Sequence, residues 1–371
     1  MTLLHDLTGA PPGMTGGALL LRLSAIGAVL AGTVGTFAYA GGWLAPGLVT
    51  PARVVDRFEA VNGPHPGFRR NHAKGLCVAG RFSGNGAGVR LSKAGMFAAG
   101  RVTPVEGRVA LAGGQPYAAD AEATVRSLAL RFQLPDGEEW RTGLNNIPVF
   151  PVRTPEAFYA QLLAAKPDPA TGKPDPERLK AFFAAHPESA TAAALIKART
   201  VTAGFADSTF WSLNAFRFVA ADGSTRPVRW AFVPDPASAP KGAADAATTD
   251  RDALFDAFVA QLAQGPRRWH LVVTLGQSGD PTDDATRPWP AHRETVDVGT
   301  LTLTAAMPEA ASTCRDINFD PLVLPAGIAP SDDPLLSARS AAYAQSFTRR
   351  AGETKTPSAV AAGAPIHGAA L

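Results

Sequence analysis

Arg339 and Tyr343 stand four residues apart in the stretch LLSARSAAYAQSFTRRAGE, Leu335 to Glu353. On a helix that spacing sets a guanidinium and a phenol on one face. A free phenol titrates near pH ~10 and is a poor anion at neutral pH. A cation one turn away favours the phenolate, and a trivalent metal favours it far more. The pair therefore suits an oxygen ligand to ferric iron, although an ordinary surface contact has the same spacing. The cysteines carry no comparable signal. Cys77 and Cys314 are far apart and form no CxxC pair. They could bridge in an oxidising compartment or remain two buried thiols.

A large domain has to position such a pair, and the chain can build one. It has 371 residues, 46% hydrophobic and 18% charged, with a formal net charge of +3. That is enough apolar material for a sizeable core. Lysines and arginines are scattered, so no nucleic-acid partner is expected. From Leu23 to Leu48 the chain carries no charge, LSAIGAVLAGTVGTFAYAGGWLAPGL. That length can cross a bilayer, with Arg22 as a positive-inside cue. The AYA at Ala38–Ala40 suggests signal cleavage as the competing reading. Either way the remainder is expected outside the cytoplasm, membrane-anchored or periplasmic, with the inner membrane met through residues 23–48.

The elements follow from pattern. TPARVVDRFEAV, TPEAFYAQLLAA, DPERLKAFFAAHPE and DRDALFDAFVAQLAQG read as helices, the first two opened by a Thr–Pro pair. Leu128, Leu130, Phe132 and Leu134 alternate with polar or small residues ahead of the turn PDG. AFRFVAADGSTRPVRWAFVP is a hairpin around Asp222-Gly223, and RWHLVVTL and VDVGTLTLT add strands. So many strands imply an antiparallel β-barrel with surrounding helices, a single α+β domain. The expected organisation is a cytoplasmic segment at 1–22, an anchor or signal at 23–48, the domain at 50–354 and a disordered tail at 355–371.

Several blocks resemble haem catalases in the same order along the chain. GFRRNHAKGLCVAGRF is similar to their distal-histidine segment, and LRFQLPDGEEWRTGLNNIPVF to their distal-asparagine segment. DPTDDATRPWP, VDVGTLTLT and INFDPLVLPAGIAPSDDPLLSARSAAY resemble their run to the proximal tyrosine. The likeness extends from Thr50 to Glu353 and is closest to the small catalase-related peroxidases. It implies a catalase-like barrel binding haem, expected as haem b with ferric iron ligated by Tyr343. It implies His72 as the acid–base catalyst and Asn145 as the amide that orients peroxide, with Asn146 as a turn residue. Phe150 would shape the distal haem face. Arg339 would support the tyrosinate, while Arg69, Arg108 and Arg350 would hold haem propionates, Arg349 being the register alternative.

The pattern also breaks. Val109 and Ala110 stand where the family has Phe-Ser, and that serine is expected to fix the histidine tautomer. Asn214 and Phe347 stand in place of two proximal-side histidines, and no segment for NADPH is recognised. These departures favour peroxidase chemistry, with an external small-molecule or protein electron donor, over efficient dismutation. Hydrogen peroxide or an organic hydroperoxide is the expected substrate, and a homodimer is left open. Two other readings share the residues: a haem-binding or haem-sensing protein with a decayed distal site, or a lipid hydroperoxide isomerase that turns over without a donor.

Overall fold

The computed structural model describes residues 15–45, 47–238 and 250–361. The chain divides into two units, Met1–Thr50 and Pro51–Leu371. In the first, α1 (Gly16–Ala40) starts at Thr15, whose side chain accepts from the Ala18 amide. It ends where Gly41 caps it and Gly42 turns to φ 77°. Its most apolar window has a mean hydropathy of 1.8 and none of its residues is buried. The apolar helix thus lies earlier than the 23–48 expected, with Arg22 inside it. The reason is local: Thr15 supplies the cap, and the glycine pair releases the helix right after Ala40.

In the second unit, alternation along each strand sends one side chain in two to the barrel interior. The strands are β1 (Gly75–Gly84), β2 (Val102–Leu111), β3 (Arg126–Gln133), β4 (Glu139–Asn145) and β5 (Phe210–Trp211). They continue with β6 (Phe216–Val219), β7 (Thr225–Pro234), β8 (Arg267–Leu275), β9 (Thr295–Met307) and β10 (Ile328–Pro330). Antiparallel pairing runs β7-β5-β4-β3-β2-β1-β9-β8 and closes through β7–β8, an eight-stranded barrel with β6 and β10 as an extension. Aromatic rings fill it: Phe132 stacks on Trp140 at 4.7 Å, and Trp140 meets Trp230 edge-on at 5.2 Å.

Because the interior is packed solid, a site has to lie on the outer face or at an end. Outward residues of β2, β3 and β4 fall into cross-strand rows. Ala110, Ser127 and Asn145 form one row; Arg108, Ala129 and Gly143 form the next. Neighbours within a row sit with Cβ atoms about 5 Å apart, and four of these six residues are Ala, Gly or Ser. The result is a flat wall. Opposite it lies α7 (Pro334–Ala351), started by Asp333, whose carboxylate accepts from the Leu335 amide. Around α7 pack α2 (Pro51–Asn62) and α3 (Pro155–Ala164), with α4 (Pro176–Ala185), α5 (Pro187–Ala198) and α6 (Ala253–Ala263) further along the chain.

Within the stretch read as a disordered tail, part of 355–361 contacts the domain. Val360 and Ala359 are buried, Ser358 Oγ accepts from the Ala310 amide at 2.7 Å, and the Thr356 carbonyl accepts from Arg315 at 2.7 Å. Residues 362–371 lie outside the described residues, as do 1–14 of the expected cytoplasmic segment. Cys77 and Cys314 form a disulfide, which decides between the two readings left open for them. It pins the turn at 313–316 to β1.

Candidate active site

Between the flat strand wall and α7 lies a cavity of about 470 Å³. Arg69, His72, Arg108, Asn145, Phe150, Arg339, Tyr343 and Arg350 all line it. Small residues face each other across it, Ala110, Ala129 and Gly143 from the strands and Ala338, Ala342 and Ser346 from α7.

His72 sits in the turn before β1 at φ 54°, a left-handed conformation uncommon for a residue with a β-carbon. Three contacts hold it there. Asn71 Oδ1 accepts from the His72 and Gly113 amides, each at 2.9 Å. Arg108 Nη1 donates to the His72 carbonyl at 2.6 Å. Two residues on, the buried Lys74 Nζ reaches Asp120 at 2.6 Å and Asp252 at 2.8 Å, which anchors the start of the strand. Gly75 is required here, since a β-carbon would fall 2.3 Å from the Arg108 guanidinium carbon. Burial first, then the Arg108 and Arg339 cations, pull the His72 imidazole down to about 3, with a partial offset from the Leu111 backbone. The ring is therefore neutral at physiological pH, as an acid–base catalyst awaiting a proton must be.

The expectation that Ala110 leaves His72 without a hydroxyl partner is overturned. Ser127 Oγ lies 2.9 Å from His72 Nδ1 and donates to Asn145 Oδ1. The hydroxyl comes from the neighbouring strand, since Ser127 is the cross-strand partner of Ala110. Asn146 takes the turn role: its Oδ1 accepts from the Arg126 amide at 2.8 Å and its Nδ2 donates to the Thr124 carbonyl at 3.2 Å. Phe150 packs on Phe158 at 6.0 Å, and its amide donates to the Ala285 carbonyl in the DPTDDATRPWP segment.

On α7, Arg339 Nη2 donates to Tyr343 Oη at 3.4 Å. Arg339 Nη1 donates to Asn214 Oδ1, and Asn214 Nδ2 donates to the buried Asp333 carboxylate at 2.7 Å. Burial raises the Asp333 carboxyl above the ordinary carboxylate range, against the Asn214 hydrogen bond. Asn214 thus carries a chain of contacts from Asp333 to Tyr343, and the helix-capping Asp333 is its end point. Sequence reasoning missed Asp333, whose place directly before Pro334 reads simply as a cap.

The arginines divide by what they touch. Arg108 bonds Glu309 at 2.7 Å and 3.3 Å and the carbonyls of His72 and Ala73. Its main contacts are with the protein's own backbone and a carboxylate. Arg69 Nη2 donates to the carbonyls of Cys314, Arg315 and Ile317, on and beside the disulfide-pinned turn, while its Nε has no partner among the described residues. Arg350 Nη1 donates to the Arg315 carbonyl at 2.5 Å, while Arg350 Nη2 has no partner among the described residues. Arg349 faces away, bonding Asp56 at 2.6 Å. Burial, with Arg108 and Arg350 alongside, pulls Arg69 down to about 9. Burial works against Glu309 ionising, yet Arg108, Arg69 and Arg350 hold its carboxyl below the usual range. Arg108, Arg69 and Arg350 thus share the Glu309 carboxylate, and Arg350 Nη1 also lies 3.9 Å from the Asp316 carboxylate. Among the described residues no cluster of His, Cys, Asp or Glu could hold a metal ion.

These features define a class. The family model described as Catalase matches residues 46–362, and the chain belongs to the catalase family. Within it the chain is similar to the catalase-related peroxidase of Synechococcus elongatus, 41% identical over 302 residues, 81% of this chain and 89% of the relative. The catalase-related peroxidase of Mycolicibacterium paratuberculosis is 34% identical, with 82% and 96% covered. The catalase of Mus musculus is 28% identical, with 76% of this chain and 56% of the relative covered. Among solved structures, catalase A from Saccharomyces cerevisiae shares the fold at a TM-score of 0.69 and 21% identity, covering 81% of this chain and 64% of that one.

Proposed function

We propose that this chain is a haem peroxidase that reduces hydrogen peroxide or organic hydroperoxides with electrons from an external donor. The carrying observation is the opposition of two polar sets across one flat cavity: His72, Ser127 and Asn145 on the strand wall, Arg339 and Tyr343 on the helix. The cavity fits haem on its own chemistry. Its facing small residues suit a planar macrocycle, and the unpartnered Arg69 Nε and Arg350 Nη2 suit the two propionates of haem b. Tyr343 Oη would ligate the iron, with Arg339 beside it favouring the phenolate. When bound, haem supplies the two-electron chemistry that breaks the O–O bond.

The chain's own residues do the rest. His72 Nε2, left free by the Nδ1–Ser127 contact, takes a proton from the inner peroxide oxygen and returns it to the outer one. The Asn145 amide holds and polarises the peroxide. Phe150 narrows the approach and excludes water. One peroxide, two donor electrons and two protons give an alcohol, or water from hydrogen peroxide, plus a further water. Arg108 acts through the turn, holding the His72 carbonyl. Ser127 also removes the ground for a decayed distal site, which rested on Ala110.

The apolar helix α1 supports export, by anchor or by cleaved signal, and the buried Cys77–Cys314 bridge fits an oxidising compartment. The test is an assay of the full chain, loaded with haem, against hydrogen peroxide and against a lipid hydroperoxide, each with and without a dye donor. Donor oxidation with little oxygen release is the expected result. Oxygen release without a donor means a catalase; product rearranged from a lipid hydroperoxide without a donor means an isomerase.

A further inference from the structure

The hydroxyl of Ser127 carries one hydrogen and has two partners. We propose that Ser127 is a positioning residue that sets His72 and Asn145 together, presenting a base at His72 Nε2 and an N–H donor at Asn145 Nδ2 to the cavity. The inference rests on the peroxidase reading above.

The logic is that of a single proton. Asn145 Oδ1 has no hydrogen, so the Ser127 hydrogen is the one between those atoms. The Ser127 oxygen can then only accept from His72, which places a hydrogen on Nδ1, 2.9 Å away. A neutral imidazole carries one N–H, so Nε2 is bare and basic. The amide, with its oxygen turned to Ser127, has its NH2 left for the cavity.

The reversed chain is equally closed but chemically wrong. With the amide flipped, Asn145 would donate to Ser127 and Ser127 to Nδ1. His72 would then offer Nε2–H, and Asn145 an oxygen. That pair has a donor where a base is needed and an acceptor where peroxide needs polarising. Neither side chain selects the working state alone, because ring tautomers and amide flips are set by their partners. The row Ala110, Ser127 and Asn145 makes the coupling possible, since one residue on the middle strand reaches both the turn before β1 and the end of β4.

The test uses cyanide association with the ferric, haem-loaded full chain. Hydrogen cyanide ligates ferric haem as the anion, so its proton passes to a base beside the iron. Ser127→Ala is expected to take up haem with unchanged absorption maxima, yet bind cyanide at least about tenfold more slowly. Ser127→Thr, which keeps the hydroxyl, is expected to recover most of that rate. A Ser127→Ala protein that binds cyanide at the parent rate overturns the inference, as does a Ser127→Thr protein as slow as Ser127→Ala. Loss of haem from Ser127→Ala alone would make the serine structural, which also overturns it. If the parent takes up no haem, the peroxidase reading fails as well. If the parent loads haem and consumes peroxide while Ser127→Ala keeps the parent cyanide rate, only the role of Ser127 is lost.

Discussion

The helical wall of the cavity draws its polar groups from one stretch, Arg339 to Arg350, whereas the strand wall gathers His72, Ser127 and Asn145 from a turn and two strands. On the helix, position follows from spacing: residues four apart share a face whatever else the chain does. On the strand wall, position follows from register, and register depends on how far one strand slides along the next. The support differs in the same way. Arg339 and Tyr343 are backed by a short side-chain series through Asn214 to Asp333. His72 is held by its backbone, through Asn71, Gly113 and Arg108, at a φ of 54°. A helix gives placement from sequence alone; a sheet face gives it only after long-range contacts have formed.

Tyr343→Phe should have the largest effect, since it removes the only phenol on the helical wall: the ferric haem spectrum and peroxide turnover are expected to be lost together, read by absorption after haem loading. His72→Ala should keep the haem and lose roughly 10²–10⁴ in peroxide-dependent donor oxidation, a split that separates the two walls. Asn214→Ala breaks the support behind Arg339 and should cost about 10–100-fold in turnover with a shifted haem absorption band. An unchanged band would mean that the helical wall needs no backing. Cys77→Ser with Cys314→Ser should lower unfolding stability by roughly 2–4 kcal/mol, measured by denaturant titration, because the bridge fixes the turn that Arg69 grips.

A further test concerns pH. His72 has an ordinary value of 6.5 and is held at about 3 in the fold. Between those values only the unfolded chain takes the proton, so its contribution to stability is full above 6.5, shrinks as pH falls, and is gone below about 3. His72→Gln should flatten the fall in thermal stability across that window. A pH profile identical to the parent would show that the imidazole is not buried as described.

The same contrast explains what could be read in advance. The i, i+4 pair on α7, the capped helices and the alternating strands were legible because each rests on local periodicity. The serine was not. Residues 112–125 separate β2 from β3, so no count across a tight turn could place Ser127 opposite Ala110. A matched family position held alanine, and the hydroxyl had moved one strand over. Glu309 escaped for a related reason: only the fold brings that carboxylate to Arg108, 201 residues away. The contacts at 356–360 were hidden by small, simple residues, two of which, Ala359 and Val360, are buried. The proposal of export rests on α1, whose limits differ from the expected ones because a single threonine and a glycine pair set them.

Resonance Raman spectroscopy of the haem-loaded full chain, excited in the phenolate-to-iron charge-transfer region, tests the central claim most directly. The parent should show tyrosinate ring modes that disappear in Tyr343→Phe and persist in His72→Ala. A parent protein that binds haem with no tyrosinate modes, or that keeps them in Tyr343→Phe, would contradict the account.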